Sequence, residues 1–496
     1  MTEGAVFANE VSHARGLGSI KYLEPIAYVS YIVLCFFAYQ MSSLGSPACF
    51  DDCFGYIPLM GKSGGEYFHT LLTMFRPWAV PTFFSLFGPY DISSAARIVL
   101  AQSYIAFFSW LLFAFACQGL LATRALKFVG FVAISSLMFG QGYYHFNQFL
   151  LSDSLAMSSV LIQYALCLSF GRFAGFCEKF DRGGALVVLY LAVLLAVTAF
   201  EMATRDANVM LALSGVAFLL IANRNVTIGV EARWIFAMLV VVLAVGQSIT
   251  ARMRYRENAK NILVGAVFAN EDMRRFFLSH GMPTAFDAVG ARMKPQALDA
   301  VDFEEMTRVR NLLDVAAQNP ENDAFIGRVG GLYASYLLTH PEYVIGNVAR
   351  YWRLIFTQTV DLDSEIIRGA SGSSGARKFI RPGEATPFVA GASARLSVTD
   401  HIPPLVGAAL LTLCALLPLI RPKDIWSWVP ILLAAVGAGN AVLGFFGDVW
   451  VKSEMERHAL VGSVVLRIAL TLCVLRLMEE GRRRLARERR SIQPSM

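Results

Sequence analysis

The sequence predicts an all-α polytopic membrane protein with about ten transmembrane helices, interfacial helices in its first outside loop and a small, mostly helical periplasmic domain. Three observations predict it. Hydrophobic residues make up 56% of the 496 and charged residues only 16%, where a soluble domain carries roughly 25% charged residues; the mean hydropathy is +0.51. Apolar stretches of span length recur near 24–44, 96–118, 128–143, 151–170, 184–200, 207–222, 235–251, 403–420, 426–446 and 459–478. Basic residues fall in every second connection between these stretches, the pattern that sets orientation in a bilayer.

The elements follow in order. The first stretch comes after Arg15 and Lys21, is long and lacks a small-residue cleavage site, so it reads as a retained anchor rather than a removed leader. With both termini in the cytoplasm of a bacterial inner membrane, the inside connections hold Arg124 and Lys127, then Arg172, Lys179 and Arg182, then Arg224 and Arg233, then Arg421 and Lys423. The segments 45–95, 144–150, 201–206, 252–402 and 447–458 then face the periplasm. The chain divides into an N-terminal transmembrane module (1–251), an inserted periplasmic domain (252–402), C-terminal transmembrane helices (403–480) and a basic cytoplasmic tail (481–496) whose arginines act as a topology anchor beside anionic lipid.

Within the inserted domain, 303–313 is amphipathic and a second helical pattern opens at His340-Pro341-Glu342. Gly369 to Gly375, followed by Arg377, Lys378, Arg381 and Pro382, has the composition of a flexible basic loop, either a lid over a membrane-level cavity or a plain connector. The stretch Phe75 to Gly88, apolar and bounded by prolines, reads as a helix on the membrane surface. Cys35, Cys117, Cys167, Cys414 and Cys473 fall in spans and Cys177 in an inside connection, all read as packing residues. Cys49 and Cys53 bracket an acidic turn in a compartment that permits a disulfide.

That turn holds Asp51 and Asp52 where the first helix leaves the bilayer. A carboxylate beside low-dielectric lipid has a raised proton affinity and can serve as a general base, although acidic residues also simply mark the water boundary of a span. Glu66, His69 and His145 also lie outside, but without the close spacing of a zinc site, and no metal centre is predicted.

Four places resemble the GT-C superfamily of integral-membrane glycosyltransferases, especially the branch of protein O-mannosyltransferases and the bacterial lipid A aminoarabinose transferase. They are Asp52-Cys53-Phe54-Gly55-Tyr56 with the following Arg76-Pro77-Trp78-Ala79-Val80-Pro81; Asn147 to Ala156, which includes Asp153; Thr204-Arg205-Asp206-Ala207-Asn208; and Glu456-Arg457-His458-Ala459-Leu460. Their order and common outside placement carry the resemblance, which covers the membrane region and not the inserted domain. The Asp51-Asp52 pair departs from the Asp-Glu pair of O-mannosyltransferases and leaves the acceptor open.

The resemblance implies transfer of a sugar from a polyprenyl-phosphate donor to an acceptor hydroxyl of a lipid, glycan or protein at the periplasmic face. Asp52, or its neighbour Asp51, would take the hydroxyl proton. Arg457 and Arg205, with Lys452 and His458, would hold the donor phosphate, and Tyr56, Arg76, Asp153 and Asn147 would bind substrate. No cofactor is implied; a divalent cation held by Asp51, Asp52 and Asp153 is the alternative in members that use lipid diphosphates. Membrane lipids are partners and nucleic acid is not. Two other functions fit a chain of this kind: a flippase or transporter of a lipid-linked saccharide using Arg205 and Arg457 as cavity charges, and a polysaccharide polymerase or ligase.

Overall fold

The computed structural model describes residues 24–40, 55–74, 77–140, 147, 150, 152–180, 182–223, 226–293, 303–356, 402–420, 427–447 and 452–492. In chain order the helices are α1 (24–40), α2 (Gly64–Thr73), α3 (Ala79–Ser85), α4 (Ile92–Cys117), α5 (Arg124–Ser136), α6 (Asp153–Cys177), α7 (Gly183–Met202), α8 (Asn208–Ala222) and α9 (Val230–Ile262). They continue with α10 (Glu271–Ser279), α11 (Thr284–Gly290), α12 (Phe303–Ala316), α13 (Pro320–Thr339), α14 (Pro341–Phe356), α15 (Pro404–Ile420), α16 (Val429–Gly447) and α17 (Lys452–Ile492). Among the described residues there is no strand.

Each of the ten apolar segments holds a helix. Five stretches, Ser93–Leu120, Asp153–Cys177, Gly183–Met202, Val230–Ile249 and Ala459–Leu485, are long and apolar enough to cross a membrane. The outward faces agree with a lipid solvent: Leu189 and Val193 on α7, and Trp234, Met238, Val242 and Ile249 on α9, are exposed, a pattern that water would penalise. The chain is membrane-embedded.

Helix α6 sits at the centre, buried on nearly every side from Asp153 to Cys177, as expected of a helix surrounded by other helices. It packs on α4, α7 and α8. Helix α4 starts at a reciprocal cap in which Asp91 accepts from the Ser94 N–H at 2.6 Å and the Ser94 hydroxyl accepts from the Asp91 N–H at 2.9 Å. Helix α9 starts at Gly229, whose φ of +70° and proximity to Val187 exclude a side chain; a Cβ would lie 2.6 Å from Val187 Cγ1. Helices α16 and α17 cross at their backbones, because Gly437, Ala441 and Gly462 present no bulk.

Basic residues collect at one end of the bundle, and there they satisfy carbonyls left over at helix C-termini. Arg172 donates to Ala116 O at 2.9 Å, Arg233 to Asn223 O and Val226 O, and Arg476 to Leu120 O at 2.7 Å. Glu479 completes this layer, accepting from the Ala122 N–H at 2.9 Å and pairing with Arg476 at 3.0 Å and Arg483 at 2.9 Å. Asp153 and Arg172 are separated along α6 by about 28 Å at 1.5 Å per residue, close to the roughly 30 Å hydrocarbon thickness.

Several boundaries differ from the sequence reading. Arg124 and Arg172 belong to helices rather than connections, as does Cys177, the buried last residue of α6. Thr123 caps α5, whose first residue, Arg124, lies four residues upstream of the predicted start. Helix α9 runs unbroken across 251–252, where the sequence reading divides the chain, and passes into a buried π-helical turn, Leu263–Val267. Lys260 pairs with Asp314 of α12 at 2.7 Å and Arg256 with Asp323 of α13, so the polar helices are fixed to the extension of α9. The basic tail continues α17 through Gly481, with Arg483 and Arg484 one turn from Glu479 and Glu480. Helix α3, read as a surface helix, buries Ala79, Val80, Pro81 and Phe84 against the bundle. Cys49 and Cys53, whose pairing the sequence leaves open, and the basic loop 369–382 lie outside the described residues.

Candidate functional site

The end of the bundle opposite the arginine layer carries a compact polar cluster. Asp153 opens α6, where the helix dipole favours a negative charge, and its Oδ1 lies 2.6 Å from Nη1 of Arg205, with side-chain exposures of 0% and 10%. The preceding Ser152 accepts from the Tyr56 hydroxyl at 3.1 Å. The following Ser154 donates to Asn147 Oδ1 at 2.5 Å, and Asn147 Nδ2 donates to the Tyr39 hydroxyl at 2.5 Å. Three consecutive residues at the mouth of α6 therefore hold the first loop, the turn after α7, and α1.

The turn that carries Arg205 is braced from several sides. The Ala79 N–H of α3 donates to Ala203 O at 3.1 Å, Gln247 of α9 donates to Asp206 Oδ1 at 2.9 Å, and Asn440 of α16 donates to Ala207 O at 3.2 Å. Asn208 caps the turn internally through Thr204 Oγ1 at 3.0 Å. A cation held this way is preorganised, since its position is set by packing before any anion arrives.

Four residues singled out from sequence thus meet: Tyr56, Asn147, Asp153 and Arg205. Asn147 is wholly buried and spends its amide on Tyr39 and Ser154. Arg205 does not snorkel to water, because its side chain is 90% covered and ion-paired. Asp51, Asp52 and Arg76 lie outside the described residues, and the side chains of Lys452, Arg457 and His458 do too, although their backbone forms the start of α17. Arg457 is five residues, about 7.5 Å along the axis, from Gly462, whose crossing with Gly437 and Ala441 adjoins Asn440 and the Arg205 turn. Helix register therefore puts the Arg457 backbone at the same end of the bundle as Arg205.

Two features were missed in the sequence. Glu201, in the last turn of α7, is 0% exposed and among the described residues neither carboxylate oxygen meets a donor; its place just before Thr204-Arg205-Asp206 is the signal that would have found it. The second is an open cavity of about 600 Å³ lined by Asn270, Asp272, Arg275, Tyr336, Glu342 and Tyr343 among others. Tyr336 stacks on His340 at 4.0 Å, and burial pushes its phenol above the ordinary tyrosine range. Tyr343 reaches Phe446 of α16, with ring centroids 6.5 Å apart. Phe446 is six residues, about 9 Å, beyond Asn440 toward the end of α16. Among the described residues no group of three His, Cys, Asp or Glu is placed to hold a metal ion; Glu66 instead pairs with Lys62 at 3.1 Å.

No known protein family, curated protein or solved structure matches the chain.

Proposed function

We propose that the protein is a membrane-embedded glycosyltransferase that moves a sugar from a polyprenyl-phosphate donor to an acceptor hydroxyl at the periplasmic face of a bacterial inner membrane. The observation that carries this reading is the meeting of Tyr56, Asp153 and Arg205, from three separate segments, at the end of the bundle away from the arginine layer. In this reading the ten apolar helices all span, both termini are cytoplasmic, and helices α10 to α14 form the periplasmic domain.

The chemistry is a single displacement. Asp52, or Asp51, accepts the proton of the acceptor hydroxyl while that oxygen attacks the anomeric carbon, and lipid phosphate leaves. Asp52 is four residues before the anchored Tyr56 in the sequence. Charge that develops on the leaving phosphate is met by Arg205, oriented by Asp153, and by Arg457 on α17; guanidinium forks suit phosphate geometry. The cavity beside Tyr343, with aromatic rings to lie against sugar C–H faces and Asp272 and Glu342 to accept from hydroxyls, suits a saccharide acceptor.

Purified protein with radiolabelled polyprenyl-phosphate sugar tests the assignment. Asp52→Asn is expected to abolish transfer at normal expression. Full activity in both Asp52→Asn and Asp51→Asn would remove the base from this scheme.

One observation favours transport of a lipid-linked saccharide instead: Glu201 is a buried carboxyl inside the bundle, and intramembrane carboxyls mark ion and substrate paths. Uptake into sealed vesicles without glycosyl transfer would put that reading first.

A further inference from the structure

The bundle interior between α6, α7 and α8 contains a polar group that the transferase scheme leaves unused. Glu201 is 0% exposed, and among the described residues neither of its carboxylate oxygens has a hydrogen-bond partner. Gln163 on α6, equally buried, donates through Nε2 to Thr198 Oγ1 at 3.1 Å and to Ala212 O at 3.0 Å, while its Oε1 meets no donor among the described residues. Thr198 and Glu201 are three residues apart on α7 and so share one face of that helix. Gly215 of α8 makes the room, because a Cβ there would fall 2.3 Å from Gln163 Oε1. Tyr164 and Cys167 of α6 are the titratable neighbours that sense Glu201, and neither brings a positive charge.

The donors present are spent elsewhere, on Thr198, Ala212, Leu211 and Leu194. Three side-chain oxygens, two from Glu201 and one from Gln163, face an interior in which uncompensated polar groups are unfavourable. Gln163 is ten residues from Asp153, about 15 Å down α6, and the Thr198 that it reaches stands one turn deeper in α7 than Glu201. Arg205, the nearest arginine in sequence, is committed to Asp153. Hard oxygen ligands without a resident counter-charge match a small monovalent cation.

We propose that Glu201, with Gln163, forms an intramembrane site for a small monovalent cation, either sodium or a proton. Occupation neutralises the carboxylate and fixes the end of α7, from which the Arg205 turn departs. The proposal stands apart from the transferase reading, since it is read without substrate.

Two measurements on the purified full chain decide it and separate the sources. In the first, thermal unfolding is followed as sodium chloride replaces choline chloride at constant ionic strength. A sodium site raises the wild-type midpoint with sodium concentration, with no response in Glu201→Gln and an apparent affinity about tenfold weaker or more in Gln163→Ala. In the second, infrared difference spectra seek the carbonyl band of a protonated carboxylic acid. A proton site gives that band in wild type at neutral pH, without sodium dependence, and Glu201→Gln removes it. Should Glu201→Gln fail to fold, the wild-type spectrum with isotopically labelled glutamate and the Gln163→Ala titration carry the same decision. An ionised Glu201 together with a midpoint indifferent to sodium would overturn the proposal.

Discussion

Arg205 and Asp153, 52 residues apart in sequence, form an ion pair at 2.6 Å with almost no solvent contact. In such a place each charge depends on the other, because desolvation penalises whichever one is left alone. Asp153→Asn or Arg205→Met alone is expected to cost about 3–5 kcal/mol of stability. The double variant Asp153→Asn/Arg205→Met should cost much less than the sum. Unfolding midpoints in detergent for the four proteins give the coupling energy, and additive effects would mean that the pair is not formed. Arg205→Lys keeps the charge and loses the fork, so transfer should fall further than stability.

Tyr56 tests how the first loop is held. Its ring packs edge-on to Phe84, centroids 6.4 Å apart, and its hydroxyl reaches Ser152. Tyr56→Phe keeps the ring and removes the donor, at about 1 kcal/mol. Because Asp52 is tethered four residues away, a small loss of anchoring should reduce transfer at least about tenfold. Equal rates for Tyr56→Phe and wild type would show that the loop is positioned by other contacts.

The helices were legible because a bilayer forces a simple pattern: about 20 apolar residues between polar boundaries. Their ends were less legible. Arg172 and Arg233 look like loop residues by charge, yet both sit inside helices because the carbonyls at neighbouring helix ends accept their protons. The run of α9 through 251–252 was hidden for a similar reason, since composition changes there while the backbone hydrogen bonding does not. At the site, Asp153 and Arg205 were legible as charged residues at span mouths, where charge needs a purpose. Glu201 was not, because one carboxylate one turn inside a span differs from a boundary residue only in its burial. The cavity near Tyr343 draws on three separate helices, α10, α13 and α14, and no local pattern announces such a meeting.

The crossing of α16 and α17 sets where Arg457 sits. A Cβ on Gly462 would lie 2.4 Å from Gly437 O and 2.5 Å from the Ala441 nitrogen. These are backbone atoms, so relief requires the helices to part. Gly462→Val is expected to destabilise by about 1–3 kcal/mol or more and to abolish transfer by shifting the start of α17. Gly439→Ala is the control: nothing lies within 4 Å of a Cβ there, and loss of backbone freedom in the unfolded chain should leave stability unchanged or slightly raised. Detergent thermal melts of the two variants check both halves, and a stable Gly462→Val would show that the crossing is looser than these distances.

Acid should weaken the start of α4 in a defined way. The Ser94 backbone N–H at 2.6 Å, and after it the Ser93 hydroxyl at 2.8 Å, hold the Asp91 carboxyl below the usual carboxylate range. A group whose pKa is lower in the folded state stabilises it above the unfolded value, about 3.9, and loses that contribution as pH falls through the folded value. Wild type and Asp91→Asn should therefore differ by a constant amount from neutral pH down to about 5. Below about 4 the difference should shrink, because only wild type has a carboxylate to protonate while asparagine still caps through its amide oxygen. Unfolding midpoints of both proteins between pH 3 and pH 7 give the curve, and a difference that stays flat through the acid range would assign the cap no charge-dependent role.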